Sequence, residues 1–151
     1  EASRRLESFV AVQPYDAACW LPEGVRSAQE VCEEKQWECM PGMGWKMSCV
    51  PDRREALASY SAHGHPGFAW AARRELLEKH GLYDGKILGG GDLVIGHAMY
   101  GTEDIWNGLH RQFISTKQYE HICRWRRKFY KDVNGSVSFV PGRALHSPDG
   151  G

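Results

Sequence analysis

The sequence has no long apolar run and no excess of charge of either sign. No window approaches the roughly 20 apolar residues that a membrane-spanning helix needs, so we expect a soluble domain without a membrane span. Nineteen basic and nineteen acidic side chains cancel, which argues against a protein that binds nucleic acid through its overall charge. Internal repeats and low-complexity tracts are also absent. An ordinary globular domain remains.

The five cysteines form no recognisable pattern. They include no Cys-x-x-Cys pair, and their odd count fits no complete set of disulfides. We therefore expect reduced thiols, although Cys32, Cys39 and Cys49 could include one bridge in an oxidising compartment. The sequence does not fix the compartment, and a cytoplasmic one is favoured.

The length of 151 residues fits one domain, residues 1–151, with enough chain for an ordinary core. The chain starts at Glu1 without an initiator methionine and ends in two glycines. We interpret it as a fragment of a longer protein.

Local patterns predict an α/β fold in which a mixed sheet is flanked by helices and the N-terminal third is irregular. β-prone runs predict strands at 9–13, 67–72 and 136–140. From Trp20 to Pro51 we expect loops, with one short helix at 27–37.

Helix formers and glycine stop signals predict three further helices. Residues 73–80 form the first, which ends at Gly81, and residues 93–100 form the second, which Asp92 caps. The longest helical pattern runs over 104–130, with a break near 115–117.

The loop Gly89-Gly90-Gly91-Asp92 is the most informative feature. Three fixed glycines cost conformational entropy, so a chain that keeps them needs their dihedrals or their bare backbone. Asp92 could accept a hydrogen bond from a substrate hydroxyl and remove its proton as a general base. A plain helix N-cap is the alternative, but it does not explain three glycines.

Three other residues are candidates, each with a structural alternative. Asp84 precedes Gly85 and is either a substrate contact or a turn residue. Trp70 offers a flat apolar face to a sugar or base, although tryptophan in a β-prone run usually belongs to the core. His146 follows a Pro-Gly turn and could reach into a cleft, but one histidine does not make a metal site.

The other polar clusters are interpreted as structural. The histidines at positions 63, 65, 97, 110 and 121 lack a zinc-like spacing, so we treat them as structural or surface residues. A basic cluster at 124–131 is interleaved with aromatic residues, which is typical of a solvated helix face with its aromatics in the core. Nucleic-acid binding through this cluster is the least favoured function.

The order of these segments resembles the C-terminal half of GT-A fold glycosyltransferases of the large family-2-like group. The resemblance covers about residues 65–146. Its motifs are a small-residue strand, an Arg-containing helix, a G-x-Y-D turn, a glycine loop with a carboxylate, a helix and a late V-P-x-x-x-x-H strand. In this chain they are Gly67 to Arg74, Gly81 to Asp84, Gly89 to Asp92, residues 93–100, and Val140 to His146.

The resemblance implies transfer of a sugar from a nucleotide-diphosphate donor to an acceptor hydroxyl. It assigns Asp92 as the carboxylate that binds sugar hydroxyls or acts as the base, and His146 as a ligand of a divalent metal, Mn²⁺ or Mg²⁺. It implies substrate binding by Trp70, Asp84, Gly89, Gly90 and Gly91.

The nucleotide-binding half of such enzymes carries an Asp-x-Asp motif, and this chain contains none. Catalysis by this chain therefore depends on an N-terminal half that lies outside it. The alternative function is a non-catalytic carbohydrate-binding or interaction module derived from the same fold.

Overall fold

The computed structural model describes residues 1–23, 25, 38–58, 62–86, 90–101 and 114–147. The predicted helix at 27–37, most of the predicted 104–115 segment and Gly89 lie outside these residues. Within the described ranges the helices are α1 (Ala2–Arg5), α2 (Met43–Cys49), α3 (Arg53–Leu57), α4 (Arg74–His80), α5 (Gly91–Tyr100) and α6 (Thr116–Val133). The strands are β1 (Ala11–Gln13), β2 (Ala17–Trp20), β3 (Glu38–Pro41), β4 (Ala71–Ala72), β5 (Val137–Phe139) and β6 (Arg143–His146).

The first sheet has the strand order β4-β1-β5. Its central strand β1 runs antiparallel to β4 and parallel to β5, so the sheet is mixed. The three strands predicted from the sequence form this sheet, which confirms the mixed α/β class. The prediction for 67–72 was too long, because only Ala71 and Ala72 pair with β1.

The second sheet, with the order β3-β2-β6, was not predicted. β2 lies in its centre, antiparallel to β3 and parallel to β6. The region from Trp20 to Pro51 was expected to be mainly loops, but it contributes β3 and α2. These strands are short and lack alternation, so they depend on pairing with distant segments.

A disulfide joins Cys19 of β2 to Cys39 of β3. The two residues are direct partners in the antiparallel register, and their Cα atoms are 4.1 Å apart. The expectation of reduced thiols was therefore wrong for this pair. The strand register brings the two cysteines together, and no local motif in the sequence indicates this pairing.

The main core lies between the first sheet and helices α4, α5 and α6. Phe129 and Val133 of α6 are almost fully buried against Ala11 of β1 and Met99 of α5. A second cluster joins α2 and α3 through Met43, Met47, Ala56 and Leu57. Trp70, directly before β4, packs against both clusters.

The helix ends agree with most of the glycine signals. Gly81 and Gly101 follow α4 and α5 with positive φ values of 64° and 76°. Ser115 caps α6 by accepting a hydrogen bond from the Gln118 amide at 3.2 Å, which confirms a boundary near 115–117. Asp92 is not the N-cap of α5, because the helix begins at Gly91, two residues before the predicted start, with Gly90 as its cap at φ 76°.

The basic cluster lies on α6. Arg124, Arg127, Lys128 and Lys131 are exposed, whereas Phe129 is in the core. The interpretation as a solvated face is confirmed for these four side chains. Arg126 is the exception, because it is only 2% exposed.

No helix in the described ranges is both long enough and apolar enough to cross a bilayer.

The burial of Phe129 predicts a large effect of its truncation. We expect Phe129→Ala to lower the free energy of unfolding by about 3–5 kcal/mol, because it removes a ring from the main core. Urea denaturation of the purified domain measures the change. The control is Leu82→Ala at a side chain that is 64% exposed, which should change stability by less than about 0.5 kcal/mol.

Candidate functional site

The carboxyl ends of the parallel strands converge on one group of aromatic and polar residues. Trp20 ends β2 and His146 ends β6, and the two are paired in the register. Tyr15 lies two residues beyond the end of β1. In open α/β folds ligands bind outside the carboxyl ends of the strands, so this edge is the natural place to search for a site.

The segment 63–68 crosses this edge and is fixed by its backbone. The His65 amide donates to the Pro41 carbonyl at 2.6 Å, and the Met43 amide donates to the His65 carbonyl at 3.0 Å. The segment is therefore attached to the junction between β3 and α2.

Tyr15 holds the same segment through a side-chain hydrogen bond. Its hydroxyl donates to the Gly67 carbonyl and accepts from Gln13 Nε2 at 2.6 Å. The same Gln13 amide group also donates to the His65 carbonyl at 3.0 Å. Burial raises the pKa of Tyr15, with a further contribution from the charge of Asp92, so the phenol stays protonated and keeps donating.

Phe68 is held in a conformation that phenylalanine rarely adopts. Its φ is +67°, in the left-handed region, and its ring is 45% exposed. Such strained residues persist where surrounding contacts fix them, and they concentrate at functional sites. The ring stacks on His146 with centroids 5.5 Å apart and contacts His65 at 4.6 Å.

The ring of Trp20 completes this aromatic surface. It lies 5.8 Å from Phe68 and 5.3 Å from His65, measured between ring centroids. Two imidazoles, one indole and one exposed phenyl ring therefore adjoin each other at the strand ends.

Asp92 brings the carboxylate to this surface. Its side chain is exposed, and Oδ1 accepts a hydrogen bond from the Leu93 amide at 2.8 Å. A Cβ atom on Gly67 would lie 2.7 Å from Asp92 Oδ2 and 3.0 Å from His65 Cε1. A side chain at position 67 would therefore displace the carboxylate or the imidazole from its present position.

Burial and three neighbouring side chains change the pKa of His65. Burial lowers its pKa, the carboxylate of Asp92 opposes that shift, and His146 and His63 lower the pKa further. The imidazole is therefore neutral at pH 7. A neutral imidazole both accepts and donates hydrogen bonds, as contact with sugar hydroxyls requires.

The other residues implicated by the sequence take different positions. Trp70 is half-buried, packs against both the main core and the α2–α3 cluster, and donates from Nε1 to the Pro66 carbonyl at 2.7 Å, as the core interpretation predicts. Asp84 is exposed in the segment between α4 and α5, next to the buried Tyr83. Gly90 and Gly91 form the cap and first residue of α5, directly before Asp92.

Three residues of the site were missed by sequence reasoning. His65 was treated as structural or surface, Phe68 was assigned to a strand, and Trp20 was placed at the start of the region expected to be loops. The signal that could have found the first two is the run Gly64-His65-Pro66-Gly67-Phe68, in which two glycines and a proline surround two rings. His63 and His97 agree with the structural interpretation, since they are 2% and 3% exposed.

The residues present do not form a metal site by themselves. In the part of the chain that the structure describes, no group of three or more His, Cys, Asp or Glu side chains is arranged to hold an ion. His146 stacks on Phe68, and metal ligation by this residue stays a prediction of the resemblance.

Comparisons with protein-family models, with curated proteins and with solved structures give no significant match to this chain.

The bond from Tyr15 to Gly67 predicts a measurable loss when the hydroxyl is removed. We expect Tyr15→Phe to lower the free energy of unfolding by about 1–3 kcal/mol, because the buried Gly67 carbonyl loses its donor. Denaturant unfolding measures the change. Tyr130→Phe, at a half-exposed tyrosine of α6, is the matched control; equal stabilities for the two variants would contradict the anchoring role.

The buried His63 predicts acid sensitivity. Burial lowers its pKa in the folded state, so between about pH 7.5 and 5.5 the unfolded chain takes up a proton before the folded one does. Stability is therefore greatest above the ordinary histidine pKa of about 6.5 and falls as the pH is lowered. In His63→Asn, which cannot titrate but can still donate to the Gly64 carbonyl, the fall should be smaller; identical pH dependences would contradict this assignment.

Proposed function

We propose that this domain is the acceptor-side, catalytic half of a glycosyltransferase that transfers a sugar from a nucleotide-diphosphate donor to an acceptor hydroxyl. One observation carries the proposal: the Asp92 carboxylate and the His65 imidazole both approach the backbone of Gly67, and the exposed Phe68 ring adjoins His65 and His146. The sequence motifs support the same reading.

The arrangement suits a sugar because it combines apolar and polar groups in the way that a sugar does. A pyranose has an apolar C–H face, which can lie on an aromatic ring, and hydroxyls at its edge that need partners. Phe68 and Trp20 supply the aromatic surface, while Asp92 and the neutral His65 supply hydrogen-bonding groups. Ligand sites generally consist of such a mainly apolar lining with a few placed polar groups.

Asp92 is the proposed general base. Its carboxylate is exposed and only one of its oxygens is used by the Leu93 amide, so the other is directed at the surface beside Gly67. It would accept a hydrogen bond from the acceptor hydroxyl and take its proton as the oxygen attacks the anomeric carbon. Such catalysis contributes on the order of 10²–10⁴-fold.

The proposal includes a divalent metal, Mn²⁺ or Mg²⁺, and the nucleotide. Groups outside the described residues are required to bind both. A divalent metal would neutralise charge on the departing diphosphate. The sequence resemblance supports His146 as one ligand of this metal. In the proposal, the residues around Asp92 position the acceptor, and Asp92 takes up the proton of its hydroxyl.

A carbohydrate-binding module without transfer is the second candidate. The observation that favours it is the lack of an Asp-x-Asp motif in this chain beside a well-formed aromatic and carboxylate surface. Under this alternative the domain binds free sugar as tightly as nucleotide sugar, and Mn²⁺ has no effect.

Asp92→Asn is the sharpest test of the proposal. Calorimetric titration of UDP-hexoses and GDP-hexoses, with and without Mn²⁺, and of the free hexoses measures binding. We expect Asp92→Asn to weaken binding by about tenfold or more, because a hydrogen bond to a charged group is worth about 1.5–3 kcal/mol. The substitution preserves the bond to the Leu93 amide, so the fold is retained.

Glu78→Gln is the control, because it removes an exposed carboxylate from α4, a helix that contributes no residue to the surface described around Asp92. It should bind like the unchanged protein. Equal binding by Asp92→Asn and the unchanged protein would remove Asp92 from the site and contradict the proposal.

A further inference from the structure

A cleft lies beside the proposed sugar site. It is a cleft of about 350 Å³, called here the Trp45 cleft, and it is lined by Asp16, Ala17, Cys39, Met40, Pro41 and Trp45. Its size is within the range of small-molecule sites, roughly 300–1,000 Å³. The proposed activity uses none of these side chains.

The walls of the cleft are fixed by covalent and backbone bonds. The disulfide from Cys19 holds Cys39, and the β2–β3 register pairs Ala17 with Pro41. The Asp16 amide donates to the Gly142 carbonyl at 2.8 Å, and the Asp16 carbonyl accepts from the Gly42 amide at 2.7 Å. A preformed cleft loses little entropy when a ligand binds.

The chemistry of the lining limits the ligand. Most of the lining is apolar, the half-buried Trp45 supplies an indole, and Asp16 supplies a carboxylate among the described residues that line the cleft. An indole with a carboxylate suits a neutral sugar ring, which presents a C–H face and hydroxyls.

The Trp45 cleft adjoins the site around Asp92 along two segments of chain. Asp16 directly follows Tyr15, whose hydroxyl holds Gly67. Pro41 of the cleft accepts a hydrogen bond from the His65 amide at 2.6 Å. Gly42 lies between the two, since a Cβ there would contact both Tyr15 Cε2 at 3.2 Å and Asp16 O at 3.3 Å.

We infer that the Trp45 cleft is a subsite for a neutral saccharide, and that it binds a second sugar unit of an acceptor whose reacting unit lies at Asp92. The link to the acceptor rests on the proposed function, whereas binding of the second unit rests on the cleft itself. The acceptor is then an oligosaccharide and not a single sugar.

Fluorine NMR of protein labelled with 5-fluorotryptophan tests the inference. The Trp45 resonance is assigned from its loss in Trp45→Phe, and the probes are cellobiose, cellotriose and the corresponding chitin oligomers, with glucose and N-acetylglucosamine as single-unit references. We expect a trisaccharide to shift the Trp45 resonance and to bind about tenfold more weakly to Trp45→Ala. Trp45→Tyr, which keeps an aromatic face, should retain binding within a few-fold.

Two further arms separate the possible failures. Single sugars should bind Trp45→Ala as they bind the unchanged protein, while Asp92→Asn weakens them; loss of the second effect alone overturns the proposed function and leaves the cleft intact. Tetramethylammonium tests a cation site formed by the indole and the carboxylate. A Trp45 shift with tetramethylammonium that Asp16→Asn abolishes, together with no shift for any saccharide, overturns the inference, as does equal trisaccharide binding by Trp45→Ala and the unchanged protein.

Discussion

The buried hydroxyl of Tyr15 is the interaction on which the site depends. It joins β1 to the segment 63–68 through its bond to the Gly67 carbonyl, and Gln13 supports it from the same strand. Phe68, whose backbone conformation is strained, directly follows Gly67. The buried hydrogen bonds of Tyr15 and Gln13 fix this segment, and they therefore offset the strain that keeps the ring exposed. The contact between Tyr15 and Gly67 therefore both fixes the segment at the strand edge and keeps the aromatic surface exposed.

Charge and burial have opposite effects on the pKa of His65. His65 lies between a carboxylate that favours its proton and a desolvating environment, reinforced by two histidines, that disfavours it. The balance leaves the imidazole neutral beside the Asp92 carboxylate. A neutral imidazole can both donate and accept a hydrogen bond, so a polar ligand at this surface can meet either group.

The sequence predicts the first sheet and most helix ends because their signals are local. β-prone runs mark β1 and β5, and single glycines end α4 and α5. The second sheet escapes prediction because β2 and β3 are defined by their register and by the Cys19–Cys39 bond. Asp92 could be selected from its glycine loop, whereas Phe68 could not, because a phenylalanine at positive φ is stable only through contacts with distant residues.

The two parallel strand pairs also determine when the site can form. Both join residues 11–20 to residues 137–146, so β1 and β2 lack a parallel neighbour until nearly the whole segment between them has been synthesised. Contacts between such distant parts of a chain form slowly, because loop-closure entropy is lost before the contact is gained. The early strands therefore keep one unpaired edge until residues 137–146 have been made, and the stacking of His146 on Phe68 depends on that late pairing.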